Sequence, residues 1–228
     1  MIDVVVKVGG ALLRNASAYD DVVHALSTRE RAVRMLVVPG GGLFADAVRV
    51  ADRALAFGDD AAHWMAVLAI DQHAHLLAGR VADSVVVANM DEISAAIADG
   101  VLPVLAPYAW VRATDALPHS WDVTSDSVAA WVAGTVGARR LVLIKIGASE
   151  ADRATHAVDP YVDRYFARAV PSGAEVTVIP PGRVRDICQG ADTLRGDTPH
   201  ATAVTGRRPD GHDIGAQHAS DREVLRPQ

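Results

Sequence analysis

Lysine is almost missing from this chain. Of its 22 basic residues only Lys7 and Lys145 are lysines, and the other 20 are arginines. Arginine serves wherever positive charge alone is wanted, so the two lysines mark places where a compact ammonium must reach something, a phosphate above all. Cysteine is scarcer still. Cys188 stands alone, which excludes an internal disulfide framework and fits a reducing compartment. Long hydrophobic runs are lacking, and those present are strand-sized and broken by charge, so no membrane span is expected. Met1-Ile2-Asp3 leads straight into a strand pattern without a basic n-region, so secretion is not expected. Nor is there an excess of positive charge. The formal net charge is −6, which gives nucleic acid or an anionic membrane no electrostatic reason to bind. The expectation is a cytoplasmic protein.

What is present is a chain of 228 residues, 50% hydrophobic, enough for one large α/β domain or two small lobes. Apolar strand-sized runs alternate with helical spacing. Val4–Val8 is a β-branched run that stops at Gly9-Gly10, and residues 35–38 stop at Pro39-Gly40-Gly41-Gly42. Further strands are expected at 85–88, 102–105, 141–146 and 175–179, and helices at 19–27, 43–55, 61–77, 91–98, 124–136, 161–169 and 183–188. On the 61–77 helix, His63, Val67, Ile70, Ala74 and Leu77 share one stripe. Residues 108–122 have no clear period. The alternation predicts parallel strands with crossover helices on both faces, an αβα sandwich around a mainly parallel sheet. Residues 189–228 lose apolar periodicity and read as a disordered tail.

Four segments could carry chemistry. Lys7-Val8-Gly9-Gly10 ends the first strand, where open parallel sheets bind ligands. Taken alone, a Gly-Gly turn is the better explanation. Pro39-Gly40-Gly41-Gly42 also ends a strand, and three glycines before a helix expose N–H groups to an anion at the positive end of the dipole. No Walker lysine follows, so it is not a P-loop. Asp122, Thr124, Ser125 and Asp126 open a helix, and Asp126 in its first turn either caps that end or holds lysines or a metal near phosphate. Lys145 sits in the apolar run 141–146, where a lysine is costly unless it faces a polar site. Nine histidines invite a metal site. His73 and His75 diverge on a helix, Asp71 and His75 lack a third ligand, and none is expected.

VVVKVGGALL, VVPGGG and TSDSVAAWVA, in that order and spacing, resemble the amino acid kinase superfamily over about residues 3–187. PGGGLFADAVR, AHWMAVLAIDQHAHLLA and SWDVTSDSVAAWVA are similar to its methanofuran-pathway branch, the [5-(aminomethyl)furan-3-yl]methyl phosphate kinases. The resemblance implies a kinase domain over 1–188, with an acceptor lobe at about 1–120 and a nucleotide lobe at about 121–188. It implies ATP with Mg2+ and a homo-oligomer. In it Lys7 neutralises the transferring phosphoryl group and Asp126 organises the positive charges; several relatives place a second catalytic lysine beyond residue 152, this chain has none there, and the role is assigned to Lys145 instead. Gly9, Gly10, Gly40, Gly41 and Gly42 cradle phosphates and acceptor, with His63, Asp122, Thr124 and Ser125 as further binding residues. Residues 147–152 depart from the Thr-Asp and Asp-Gly loop of many members. Three functions follow: a kinase of the furanmethyl phosphate in methanofuran-type cofactor biosynthesis, a kinase of another small acceptor (isopentenyl phosphate, a nucleoside monophosphate or an acylated amino acid), or a non-catalytic nucleotide- or oxyanion-binding protein.

Overall fold

The computed structural model of the chain describes residues 2–155 and 158–189. From residue 190 onward the expected tail lies outside the described residues. Six strands form one sheet: β1 (Val4–Val8), β2 (Met35–Pro39), β3 (Ser84–Val87), β4 (Leu102–Leu105), β5 (Arg140–Ile144) and β6 (Glu175–Ile179). Their order is β3-β4-β2-β1-β5-β6 and every pairing is parallel. The helices are α1 (Ala16–Ser27), α2 (Gly42–Leu55), α3 (Asp59–Ala78), α4 (Met90–Ala98), α5 (Tyr108–Thr114), α6 (Ser125–Thr135), α7 (Glu150–Thr155), α8 (Phe166–Ala169) and α9 (Val184–Cys188). The expected αβα sandwich is what forms.

All five residues of β1 are buried, as a strand covered on both faces must be. Alternation sends Val4, Val6 and Val8 toward α1 and α9, whose Val22, Leu26, Val184 and Ile187 complete that core. Val5 faces the opposite core, built with Val128, Ala129, Val132 and Ala133 of α6. Lys7, two residues on, shares the Val5 face by the period of two. This parity puts an ammonium under α6. The helix α3 spans both layers, with Val67 and Ile70 in one core and Ala74 and Leu77 in the other. The sequence stripe on α3 is thus buried as expected, His63 included.

Three expected elements differ. The fifth strand stops at Ile144, so Lys145 and Ile146 lie beyond it, and Ile146 is exposed. Helix 161–169 is broken. A 3-10 turn at Asp159–Tyr161 is followed by α8, and Val162 between them is extended, because Asp163 is held elsewhere, as described below. Residues 108–122 contain α5, too short at seven residues for a period to show.

Candidate active site

The first strand ends beside β2 and β5, with Lys7 paired in register to Val38 and Leu143. The switch from β2 on one side to β5 on the other opens a crevice at the C-terminal ends, the place where such sheets take ligands. Lys7 reaches the crevice from the β1 side, and its Nζ lies 2.6 Å from Asp126 Oδ1. Lys145 follows Ile144, and its N–H donates to the Ile179 carbonyl at 3.0 Å. Its Nζ lies 2.7 Å from Asp126 Oδ2. One carboxylate therefore holds two ammonium groups, one on each oxygen. Lys7 and Asp126 are buried, and Lys145 is 16% exposed at its side chain.

Burial alone would drive the Asp126 carboxyl upward, but the two ammonium groups outweigh it and hold it below the usual carboxylate range. Lys145 is pushed down to about 8, by burial first and then by repulsion from Lys7, with Asp126 opposing. The cluster carries one more positive charge than negative, and that surplus sits in a poorly hydrated place. An anion is what such a cluster lacks.

The position of Asp126 depends on how α6 begins. Thr124 is the N-cap, and its side chain accepts from the Asp126 N–H at 3.4 Å. A second carboxylate, Asp163, reaches in from the 158–165 segment. It accepts from the Thr124 N–H at 2.9 Å, the Thr124 hydroxyl at 2.8 Å and the Ser127 N–H at 3.1 Å, and also from the Ser127 hydroxyl. Orphan N–H groups of the first turn are thereby satisfied by a charge that the helix dipole favours. Serving α6 in this way is what breaks the expected 161–169 helix.

The two glycine loops touch. A Cβ on Gly10 would lie 2.4 Å from the Gly42 nitrogen, and one on Gly40 would lie 2.6 Å from the Gly10 nitrogen. Gly42 has φ +52°, which only glycine adopts freely. Close approach of one loop to the other therefore requires these glycines, whatever the loops also bind. Beneath them His73, fully buried, bonds through Nδ1 to the Gly40 carbonyl at 2.6 Å, and its Nε2 lies 3.2 Å from the Tyr19 hydroxyl. The carbonyl can only accept, so Nδ1 carries the proton and the tyrosine donates to Nε2. Burial, with help from Lys7, pushes the His73 imidazole down to about 4, and it stays neutral.

A cleft of about 190 Å³ opens from the lysines between α2, α3 and the start of α6. Lys7, Lys145, Asp126 and Ser125 stand at its head together with Gly41 and Gly42, while Val67, Ile70, Val123 and Val128 make its walls. His63 lines it as well, buried and with Nε2 unpartnered among the described residues. Its imidazole is pushed down to about 4 by burial and then by His119. His119 stacks on it with ring centroids 4.3 Å apart. The two nitrogens of His119 lie 2.7 Å from Asp60 and 2.8 Å from Asp115. Two carboxylate acceptors call for two N–H donors, and hydrogen bonding to Asp60 leads the causes that raise its pKa. The loop bearing His119 and Trp121 closes the cleft on one side, where Trp121 Nε1 donates to Asp52 at 3.0 Å and Arg49 stacks on the indole at 4.7 Å.

Of the residues expected from sequence, Lys7, Asp126, Lys145, Gly41, Gly42, His63, Thr124 and Ser125 meet in this cleft. Gly9, Gly10 and Gly40 lie behind its lining, and Asp122 is exposed, 3.5 Å from Arg164. Tyr19, His73, His119 and Asp163 were not found in the sequence. Each acts through a partner 33 to 59 positions away, and nothing local marks it. Among the described residues no group of three or more His, Cys, Asp or Glu side chains could hold a metal ion, and no helix is long and apolar enough to cross a membrane.

The family model described as "Amino acid kinase family" matches residues 4–146. The [5-(aminomethyl)furan-3-yl]methyl phosphate kinase of Methanocaldococcus jannaschii is 26% identical over 141 residues, 61% of this chain and 63% of that protein. The fold is similar to that of the uridylate kinase from Archaeoglobus fulgidus, with a TM-score of 0.60 at 15% identity, over 86% of this chain and 96% of that one. The UMP kinase from Bacillus anthracis gives a TM-score of 0.57 at 15% identity, over 82% and 92%.

Proposed function

The chain belongs to the amino acid kinase family, and on that premise we propose that it transfers a phosphoryl group from ATP to the phosphate of a small molecule, [5-(aminomethyl)furan-3-yl]methyl phosphate, making the diphosphate. The observation that carries this reading is the pair of ammonium groups on one buried carboxylate at the head of the cleft.

Phosphoryl transfer asks the protein for in-line positioning and cancellation of negative charge rather than covalent chemistry. Lys7 and Lys145 supply that charge, and Asp126 holds one Nζ on each of its oxygens. An oxygen of the acceptor phosphate attacks the γ-phosphorus, the bond from that phosphorus to the bridging oxygen breaks, and ADP leaves with the electron pair. A phosphate oxygen near neutral pH is already deprotonated, so no general base is needed. Asp126 is unsuited to be one, since both its oxygens face ammonium groups and its pKa is lowered. Stabilisation of the charge that develops in the transition state falls to the lysines and to the N–H groups of the glycine loops.

The sheet order supports an acceptor side at residues 1–120 and a nucleotide side at 121–188. The cleft lies against α2 and α3, while β5 and β6 are on the other flank of β1. The described residues do not fit a protein-held magnesium site: they provide no ligand cluster, and Asp126 is taken up by the lysines. Magnesium belongs in this reading as an ion carried by the nucleotide phosphates. Self-association is also part of it, supported by exposed Leu43, Val50 and Leu55 on α2 and Met65, Leu68 and Leu76 on α3.

The test is a panel of acceptors with ATP and magnesium, followed by ADP release and phosphorus NMR. The furanmethyl phosphate should give two coupled phosphorus signals, the mark of a phosphoanhydride. A phosphomonoester or acyl phosphate from another acceptor, with the furan phosphate untouched, would overturn this choice of acceptor.

A further inference from the structure

Three successive glycines let the second loop approach the first, and they also leave it unrestrained. With no Cβ on either side, the peptide between Gly40 and Gly41 can turn over at little steric cost. Turned over, it would present a carbonyl oxygen where an N–H had been, and that oxygen would repel an anion. Something other than side-chain sterics has to fix this peptide.

The peptides on either side are fixed by the backbone. The Gly40 N–H donates to the Val8 carbonyl at 2.8 Å, and the Gly41 carbonyl accepts from the Ala45 N–H at 3.2 Å. Between them, the Gly40 carbonyl accepts from His73 Nδ1 at 2.6 Å. The Gly41 N–H has no acceptor among the described residues, so within them His73 alone anchors this peptide. Gly41 lines the cleft with Lys7 and Lys145, while His73 lies fully buried behind it. Among the described residues every peptide is trans, and in a trans peptide the N–H points opposite to the carbonyl. A carbonyl held on His73 therefore turns the Gly41 N–H away from the imidazole. Gly41 is in the right-handed helical region and Gly42 follows at φ +52°, the alternation that gathers successive N–H groups into a nest for an anion. The other imidazole nitrogen is taken as well. The Tyr19 hydroxyl donates to Nε2 at 3.2 Å, so ring orientation and tautomer are both set.

We propose that His73 is a positioning residue for phosphoryl transfer, holding the Gly40–Gly41 peptide so that its N–H faces the phosphate gathered at the two lysines. It touches no substrate and acts through the direction of one peptide. This rests on the kinase reading given above and adds to it the group that sets the glycine loop. A histidine that merely filled the core beneath the loop would leave that direction to the glycines.

Three substitutions separate the two cases. His73→Asn can set its amide N–H where Nδ1 stands and reach the Gly40 carbonyl. His73→Gln sets it nearer Nε2, toward Tyr19, and His73→Leu fills the space without a donor. The Gly41 amide is followed in proton–nitrogen correlation spectra as pyrophosphate is added without ATP. Initial rates with ATP and the furanmethyl phosphate are taken in parallel. In the wild type the Gly41 amide proton should move downfield as pyrophosphate fills the site. His73→Leu and His73→Gln should lose that movement and bind pyrophosphate about tenfold more weakly, the scale of one hydrogen bond to a charged group. His73→Asn should keep most of both. A wild-type Gly41 signal that ignores pyrophosphate overturns the proposal, and so does a full response in His73→Leu or His73→Gln. An asparagine variant no better than the glutamine variant does so too, because it is the mark of a merely structural role. Should His73→Leu not fold, the contrast between the two amide variants decides alone. If the furan phosphate is not phosphorylated while the Gly41 amide responds as expected, the choice of acceptor made above falls and the role of His73 stands.

Discussion

Composition drew attention to two residues before any geometry. A chain that spends arginine freely kept lysine at positions 7 and 145, and both come to rest against Asp126. A buried carboxylate between two cations has a strong effect on each of them. Lys7→Ala and Lys145→Ala should each lower turnover by about 100-fold or more, the scale for losing one transition-state contact. Single-turnover rates on folded protein would show it, and rates near wild type would remove that lysine from the mechanism. Lys145 also sets a pH limit. Its folded pKa of about 8 lies below its ordinary 10.5, so its charge is lost as the pH rises through about 8, and turnover should fall there. The fold does not loosen with it. Between about 8 and 10.5 the unfolded chain holds more protons at this site, so the Lys145 contribution to stability rises with pH. A melting temperature that holds while kcat drops would confirm the split. His73 and His119 were not legible in this way, because a histidine in sequence shows neither which carbonyl nor which carboxylate it will meet.

Strand and helix existence followed from periodicity because both faces of the sheet are covered, which makes the strands continuous apolar runs. The exceptions sit where function interrupts regularity. Lys145 continues an apolar run on paper, yet the strand ends before it so that its Nζ turns to Asp126. Residues 161–169 favour helix locally, and Asp163 gives that up to close the N-terminus of α6. Removing Asp163 should therefore be felt in two places. Asp163→Ala should destabilise the fold by about 1–2 kcal/mol, the usual cost of a lost cap, seen as a lower denaturation midpoint. Turnover should fall as well, since Asp126 lies in the first turn that loses its anchor. Asp163→Asn, which keeps one acceptor oxygen for the Thr124 and Ser127 N–H groups, should recover part of the stability. Similar midpoints for the alanine variant and the wild type would mean that Thr124 caps the helix unaided.

At the scale of the molecule, two imidazoles of α3 are buried neutral, His63 in the lining of the cleft and His73 beneath the glycine loops. Each is held at about 4, against about 6.5 in an unfolded chain. Below that unfolded value the unfolded state takes up protons that the folded state refuses. Stability contributed by these residues is therefore full above about 6.5 and is lost as the pH falls toward about 4. Denaturant midpoints should decline across that window, and the decline should be shallower in His73→Gln. A flat profile from 7 to 4.5 would show that the two sites exchange protons freely with solvent.

The strand order has a consequence in time. The chain lays down β1 first and sets it at the middle of the sheet, where β2 covers one edge at once and β5 covers the other only after residue 140. A nascent chain carries β1 for more than a hundred residues with one ladder of N–H and carbonyl groups unmatched, a template for pairing with a neighbouring chain. Parallel pairing at such separation is slow to form because loop closure precedes any reward. The crevice that gathers Lys7 and Lys145 is the same seam, so the pairing that closes the second edge of β1 is also the one that assembles the charge cluster. Refolding followed by sheet content and by acceptor binding should show the binding phase trailing, and fragments ending before β5 should aggregate rather than bind.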